Sequence, residues 1–457
     1  MFEKFQALEL KYDVEKIKAK GIQMWPLLRI YLANQVVFNK DTAVKPNKEI
    51  FKAALKYAFL GFSNFFKPTD HLFFSSSDQR KKIGLKYIDR ADLVCAKLNR
   101  SLIIEMPSNS KHFLKDEIPD SKISSKFLFY LITWFMAKLH RNVIIESEDI
   151  LKRIIAESST ELNYQWNIKL FLSQRSLMTY FLKWKKIKSL MMITPYTNLG
   201  YVYAAKSIGI PVIEFQHGSV NSAHFAYNAN KKMDRCFYPD ALLTFGLKEV
   251  NSFGGNNFYI QKENVFPVGS FIIDQIVQRS PSDQKFTELT KSYNKVVAFA
   301  AQDAMEEMYI PFFKEIAFKA SNTAFILMTR FRTKEYYTQF NFSDNVLFFD
   351  WLSTYEIIYL SDVHSTINST TTAEAPSLGT PNLLLNVENR ARQYWENNID
   401  NEICFYADTP DQYVEILNNL SSHKKSEVMK KNEQIIVPGF EKNIAVILPN
   451  LIKEMHA

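Results

Sequence analysis

Cysteine is scarce in this chain. There are three in 457 residues, Cys95, Cys236 and Cys404, far apart and odd in number. That pattern excludes a disulfide framework and a metal knuckle and fits a reducing, cytoplasmic setting. Long hydrophobic runs are missing too. The longest, Phe127–Ala137, has about 11 residues, short of the ~20 that span a bilayer as a helix. It reads as a buried helix, with interfacial contact the alternative. The opening stretch Met1–Gly21 carries charges throughout and no apolar centre, so no secretory leader is expected there. Zinc-finger spacings, RNA-binding aromatic signatures, long basic blocks, internal repeats and low-complexity segments are also absent, which removes nucleic acid from the expected partners.

What is present is ordinary globular material, 47% hydrophobic and 23% charged. The length suits two or three domains of roughly 100–200 residues. The net charge of +8 favours polyanions, either anionic lipid or nucleotide-activated substrates. Aromatic content is 14%, which suits an aromatic-rich core or a surface facing sugar or membrane. Ile50–Lys67 mixes Lys with Phe and Tyr; it either docks on the core or lies on an anionic membrane face.

Residues 1–66 read as a mostly helical extension. A first α/β series follows over 67–280. Buried strands are expected at His71–Ser76, Ser101–Glu105, Ser189–Thr194, Ile210–Phe215, Ala241–Phe245 and Val265–Val268. Asn198–Ser207 reads as a helix stopped by Gly209, and strand–helix–strand units of this length imply parallel pairs with right-handed crossovers. The polar, Ser/Lys-rich stretch 281–295 reads as a linker. A second series over 296–457 has strands at Val296–Ala300, Ala324–Thr329, Val346–Phe349, Val363–Ser365 and Asn382–Asn386, with a helix from about Thr371 to Leu378. The fold class is therefore α/β, with two doubly wound domains, a cleft between them, and a helical N-terminal extension.

The segment Ser361–Asn386 carries the most information. A short strand enters a loop with six hydroxyls between Ser365 and Thr372, and a helix follows that ends at Gly379. Helix-start amides and hydroxyls together make an anion site, outside strand C-termini where open α/β sheets bind ligands. Diphosphate is the natural guest, with Ser365, Thr366, Ser369, Thr370 and Thr371 as its expected contacts; the plainer alternative is helix capping. Glu374 is placed for ribose hydroxyls or for solvent. Arg392 and Gln393 reach for donor phosphate or sugar, or stand on a surface helix. This segment resembles the nucleotide-sugar site of GT-B enzymes, above all the UDP-N-acetylglucosamine 2-epimerases, through Glu374-Ala375-Pro376-Ser377-Leu378-Gly379 and Pro381. Asn389–Trp395 also resembles the donor-sugar loop of the N-acetylglucosaminyl transferase that makes lipid II.

In the first series, the strand ending at Phe215 runs into Gln216-His217-Gly218-Ser219. That position puts His217 at a strand C-terminal edge, with a side chain whose pKa suits taking a proton from an acceptor hydroxyl. Gly218 allows a tight turn or close ligand approach. Gln216, Ser219 and His224 complete the expected acceptor side. The stretch resembles bacterial capsule and surface-polysaccharide glycosyltransferases, which have Gln-His-Gly after a Gly-Ile-Pro strand; Trp25, Pro26 and Arg29 resemble the opening of such proteins. The epimerases carry His-x-Glu-Ala-Gly here and a Gly-Thr-Arg-Pro-Glu loop earlier, and this chain has neither.

Asp303, with Glu306 and Glu307, follows the first strand of the second series, either orienting substrate or complementing a helix dipole. Arg330 and Arg332 follow the strand ending at Thr329 and are expected to meet departing phosphate. No Asp-x-Asp pair sits suitably for a metal, so neither metal nor cofactor is expected. The resulting expectation is an inverting transfer of sugar from a nucleotide-activated donor to a glycan or lipid-linked acceptor in bacterial surface polysaccharide synthesis. The rivals are a sugar-nucleotide 2-epimerase and a non-catalytic scaffold. Association with the inner membrane face is expected from charge and aromatics.

Overall fold

Apolar runs bounded by turn formers become strands covered on both faces, as parallel sheets require. The computed structural model describes residues 2–38, 48–108, 111–218, 220, 224–254, 258–302, 305–329, 332–421 and 423–456. Seven parallel strands form one sheet: β1 (His71–Ser76), β2 (Ser101–Met106), β3 (Ile123–Ser125), β4 (Ser189–Ile193), β5 (Val212–Phe215), β6 (Ala241–Thr244) and β7 (Val265–Pro267). Their order across the sheet is β7-β6-β5-β4-β1-β2-β3. Six more form a second parallel sheet: β8 (Lys295–Ala300), β9 (Thr323–Met328), β10 (Val346–Leu347), β11 (Val363–Ser365), β12 (Asn382–Leu385) and β13 (Cys404–Ala407), in the order β10-β9-β8-β11-β12-β13. Both orders reverse once, between β1 and β4 and between β8 and β11. That is the Rossmann-type winding, and the reversal leaves a crevice at the strand C-termini.

Each sheet has its own core. In the first, Leu72, Phe74, Leu102, Leu190 and Met192 meet Met178, Phe181 and Tyr201 of the covering helices Tyr164–Lys185 and Leu199–Lys206. In the second, Val297, Phe299, Phe325 and Leu327 meet Tyr309, Phe313 and Ile316 of helix Glu306–Lys319.

The chain divides into two compact units, Met1–Thr244 with Glu249–Pro267 and Glu441–Ala457, and Phe245–Lys248 with Val268–Phe440. These boundaries differ from the expected ones. Within 281–295 the residues Gln284–Thr290 form a helix, begun by the Asp283 carboxylate accepting from the Phe286 amide at 2.6 Å, and Phe286 is buried beside Phe349. After a brief excursion at Phe245–Lys248 the chain passes to the second unit between Pro267 and Val268, and the last helix, Phe440–Glu454, returns to the first unit from Glu441 on. The helix expected at Thr371–Leu378 is also shorter. It stops at Glu374 and continues as a single 3-10 turn, Pro376–Leu378, because Pro376 has no N–H to continue the ladder.

The N-terminal stretch is helical at Phe2–Lys11, Trp25–Phe38 and Lys48–Tyr57, but it belongs to the first unit instead of hanging from it. Its anchor is a buried ion pair. Glu9 accepts from Arg29 Nε at 2.7 Å, Trp25 Nε1 at 2.8 Å and the Asn230 amide at 3.1 Å, while Arg29 also donates to the Phe225 carbonyl. Two N-terminal helices are thereby locked to the segment after β5. Removing one member leaves the other charged and buried. Arg29→Met should therefore cost about 3–5 kcal/mol in urea unfolding, and the double variant Glu9→Leu/Arg29→Met should cost clearly less.

Candidate functional site

In the second unit the crevice lies between the ends of β8 and β11, and Gln302 bridges it. Its carbonyl accepts from the Asn368 amide at 3.0 Å and from Thr366 Oγ1 at 3.1 Å, and its NH2 donates to Asn368 Oδ1 at 2.7 Å. Thr366 Oγ1 also donates to the Ala300 carbonyl at 3.0 Å. One amide side chain therefore clamps the Ser/Thr loop to the neighbouring strand. The expected donor contacts fall into two groups. Ser365 and Thr366 are fully buried; Ser365 Oγ donates to the Leu383 carbonyl at 2.5 Å and accepts from Tyr413 at 3.1 Å. Their hydroxyls serve the sheet, which corrects the expectation that they face ligand. Ser369, Thr370 and Thr371 lie further out, with Thr370 exposed and Ser369 Oγ accepting from the Thr371 amide at 3.4 Å.

The same edge continues past β12. Asn386 donates to Asp408 at 2.6 Å and to Asn389 at 3.2 Å, and it accepts from the Arg392 amide at 3.0 Å. Glu388 and Asn389 are successive residues at φ +51° and +59°, a left-handed pair that costs backbone energy. They turn the chain so that Arg392 and Gln393 follow on helix Arg390–Trp395. Gln393 is exposed; Arg392 bonds Glu396 at 2.9 Å and stacks over Tyr406. Glu374 accepts from Tyr355 at 3.0 Å.

In the first unit the crevice lies between β1 and β4. His217 follows β5, on the far side of β4, and its Nδ1 lies 3.2 Å from Gln79 Oε1 in the loop after β1. The exposed imidazole therefore reaches across the crevice. Gln79 is held in turn by its neighbour Arg80, which is buried between Glu105 at 2.6 Å and Asp92 at 2.7 Å. Thr194, at the end of β4, adopts φ +51°, an outlier for a β-branched residue. Gln216 is buried and donates to the Gly218 carbonyl at 2.9 Å and to Glu249 at 3.0 Å, so it shapes the loop instead of facing acceptor. A Cβ built on Gly218 meets nothing within 4 Å and its φ is not positive, so this glycine answers to no tight turn; open space lies beside it. Asp303, Arg330 and Ser219 lie outside the described residues. Among the described residues no group of three or more His, Cys, Asp or Glu stands where it could hold a metal ion.

Two buried groups lie behind this edge. His224 packs against Tyr196, Phe225 and Tyr227, and burial pushes its pKa down to about 4. Its Nδ1 accepts from the Ala226 amide at 3.2 Å, which places the ring proton on Nε2. It is a neutral packing residue, which corrects its expected place among acceptor contacts. Glu214 is fully buried in β5, beside a small cavity lined by Tyr196, Tyr227, Tyr238 and Tyr259. Burial pushes its pKa up to about 8, against the hydrogen bond from Tyr227 at 2.7 Å.

Gln79, Thr194, Glu214, Gln302 and Asn386 were not singled out from the sequence. Glu214 was readable there, as a lone carboxyl in an otherwise apolar strand. The others show only in the topology.

No family model matches this chain, and no curated protein does. Solved structures do match. UDP-GlcNAc 2-epimerase from Methanocaldococcus jannaschii has 12% identity and a TM-score of 0.54, over 84% of this chain and 100% of that one. UDP-GlcNAc 2-epimerase from Neisseria meningitidis, bound to UDP-GlcNAc, has 12% identity and a TM-score of 0.50 over the same shares. Fainter, at TM-score 0.47 and 10% identity over 85% of this chain and 98% of that one, is CalG4, the calicheamicin glycosyltransferase. At such identities the epimerase likeness shows the fold alone, which is the GT-B type with two Rossmann-like domains.

The buried carboxyl leaves a pH signature. Glu214 binds its proton more tightly in the folded chain than at the ordinary 4.5 of an unfolded one. Its contribution to stability is full below about 4.5 and is lost as pH rises through 8. His224 and His364, both depressed to about 4 by burial, act with opposite sign between 4 and 6.5. Between pH 6.5 and 8 the Glu214 contribution stands apart from theirs. The melting temperature should fall by a few degrees across that window, at up to about 1.4 kcal/mol per pH unit. Glu214→Gln should flatten the fall, as read by scanning calorimetry at matched ionic strength.

Proposed function

We propose that this protein transfers a sugar from a nucleotide-activated donor to a hydroxyl of a glycan or lipid-linked acceptor. The observation that carries the reading is the Thr366–Thr371 loop at the reversal of the second sheet, clamped by Gln302, with Ser369 part-exposed and Thr370 exposed at its tip. A helix of four residues has little macrodipole, so the donor diphosphate is held by local amides and hydroxyls more than by a long-range field. Arg392 and Gln393, on the adjoining strand's loop, serve the sugar or its phosphate.

On the first unit, His217 accepts the proton of the attacking hydroxyl. The new bond runs from acceptor oxygen to anomeric carbon, the bond from that carbon to the donor phosphate breaks, and the nucleotide leaves with the electron pair. One base and one direct displacement give inversion. Gln79, 3.2 Å from Nδ1, orients the imidazole. The Gln-His-Gly and Trp-Pro-Arg resemblances point to bacterial surface polysaccharide as the setting, and the three free cysteines suit a reducing compartment. Catalysis on this reading uses protein groups in place of a metal ion.

A second reading, a sugar-nucleotide 2-epimerase, draws on the fold likeness at TM-scores of 0.54 and 0.50 and on the Glu374–Gly379 segment. The two differ in one operation: an epimerase turns over without acceptor.

Thermal stabilisation with UDP-, GDP-, CMP- and TDP-sugars tests the donor site. At 100 times its dissociation constant a donor adds about 2.7 kcal/mol. One nucleotide class should shift the melting temperature, unaffected by chelator, and Ser369→Ala/Thr370→Ala should abolish the shift. No shift with any class would overturn the phosphate site. His217→Ala should keep the shift while transfer falls by about 10²–10⁴. Epimer formation in the absence of acceptor would move the assignment to the second reading.

A further inference from the structure

At the opposite end of the first sheet, around the strand N-termini, a surface has no part in the proposed transfer. Segment 60–64 runs along the edge strand β3. The Leu60 carbonyl accepts from the Ser125 amide at 3.0 Å, the Gly61 carbonyl from Ser124 Oγ at 2.8 Å, and Asn64 Nδ2 donates to the Ile123 carbonyl at 2.9 Å. The approach is close enough to require glycine: Gly61 stands at φ +67°, and a Cβ there would lie 1.9 Å from the Ile123 oxygen. With its polar groups bound to the sheet edge, the segment turns its rings outward. Phe65 alone is buried, against Phe129 and Phe181, while Phe59 is 67% and Phe66 64% exposed.

These rings form a connected patch. Phe62 contacts Phe59 at 5.6 Å and Phe66 at 5.4 Å, and Phe66 contacts Trp184 at 6.1 Å. Tyr180 stands one turn before Trp184 on the same helix and is exposed. Cations are set among the rings. Lys185 lies over Trp184 at 5.2 Å and donates to the Lys67 carbonyl at 2.7 Å; Lys56 lies over Tyr57; Lys183, Lys186 and Lys188 stand on the surface beside them. Neither Ile50–Lys67 nor Tyr164–Lys188 contains an Asp or Glu. Asp70, before β1, is shared between Arg100 and Lys188 at 3.1 Å each.

Exposed aromatic rings held in place by the backbone and rimmed by lysine match the surface of an anionic bilayer. The rings enter at the headgroup level and the ammonium groups meet phosphate. We infer that the Phe59–Phe66 segment and the end of helix Tyr164–Lys185 form a docking surface for an anionic lipid membrane. The charge settles the choice of occupant. A second copy would bring the same lysines face to face, whereas a lipid surface neutralises them. Among the described residues no helix is long and apolar enough to cross a membrane, so the attachment is peripheral through this face.

Co-sedimentation of the full chain with vesicles tests it, independently of any activity. At low salt the protein should pellet with an equimolar mixture of phosphatidylglycerol and phosphatidylcholine and stay in solution with phosphatidylcholine alone. Phe59→Ser/Phe66→Ser, both exposed, should keep the melting temperature and weaken binding about tenfold. Lys183→Gln/Lys185→Gln/Lys186→Gln should flatten the dependence on salt. No pelleting with the anionic vesicles at low salt, or pelleting that the double Phe variant leaves unchanged, would overturn the inference. So would light scattering that shows the wild type dimeric and the Phe variant monomeric, which would give the patch to a second copy of the chain.

Discussion

A parallel sheet that winds outward in both directions has to start in its middle, and at that start the two halves part. In both sheets a polar bridge stands where that parting occurs. In the second unit a glutamine spans the gap and brings the hydroxyl loop with it. In the first a histidine crosses over β4 to meet a glutamine on the other side. Neither arrangement depends on a sequence motif of fixed spacing. Both follow from strand order, because the reversal is the one place along the sheet edge where adjacent loops depart to opposite faces and leave room for a ligand.

This constraint explains which features were legible in the sequence. Strands such as Ser189–Ile193 and Thr323–Met328 are buried throughout and read as uninterrupted apolar runs. The edge strands β3 and β13 escaped. Ile123–Ser125 is three residues long, two of them serine, and owes its conformation to pairing with β2. Cys404–Ala407 borrows its register from β12 in the same way. Hydroxyl counting does not tell the buried hydroxyls of this loop from the exposed ones. Nothing in the sequence separates Ser365, which bonds a neighbouring carbonyl, from Ser369, which does not lie within the sheet. Gln302, uncharged and beside Asp303, carries no mark of its role in the sequence. An amide can donate and accept at once, and a clamp between two strands needs both. Pro376 was there to be read as the end of a helix.

In the first unit an unusual backbone angle and an unusual ionisation lie on neighbouring strands. Thr194 holds a left-handed angle just past the end of β4, and Glu214 is a carboxyl buried in the adjoining β5, three residues before the candidate base. A chain selected for stability alone has little reason to keep strain and a desolvated acid so near the same edge. The salt-bridged Arg80 and the Glu9–Arg29 pair are the counterweight. They tie down the loops on which Gln79 and the 224–230 segment sit, and so turn flexible connections into fixed supports.

The return of the last helix to the first unit has a consequence for how the protein comes into being. Glu441 pairs with Lys97 at 3.2 Å and His456 lies 2.8 Å from the Lys188 carbonyl, so the first sheet is sealed by residues made long after it. Some 170 residues of the other unit, Val268–Phe440, emerge in between. At bacterial or eukaryotic elongation rates that is an interval on the order of ten to thirty seconds. During it the earlier-made half waits with one flank open while the other unit is still being made. The domain begun first is the one finished last.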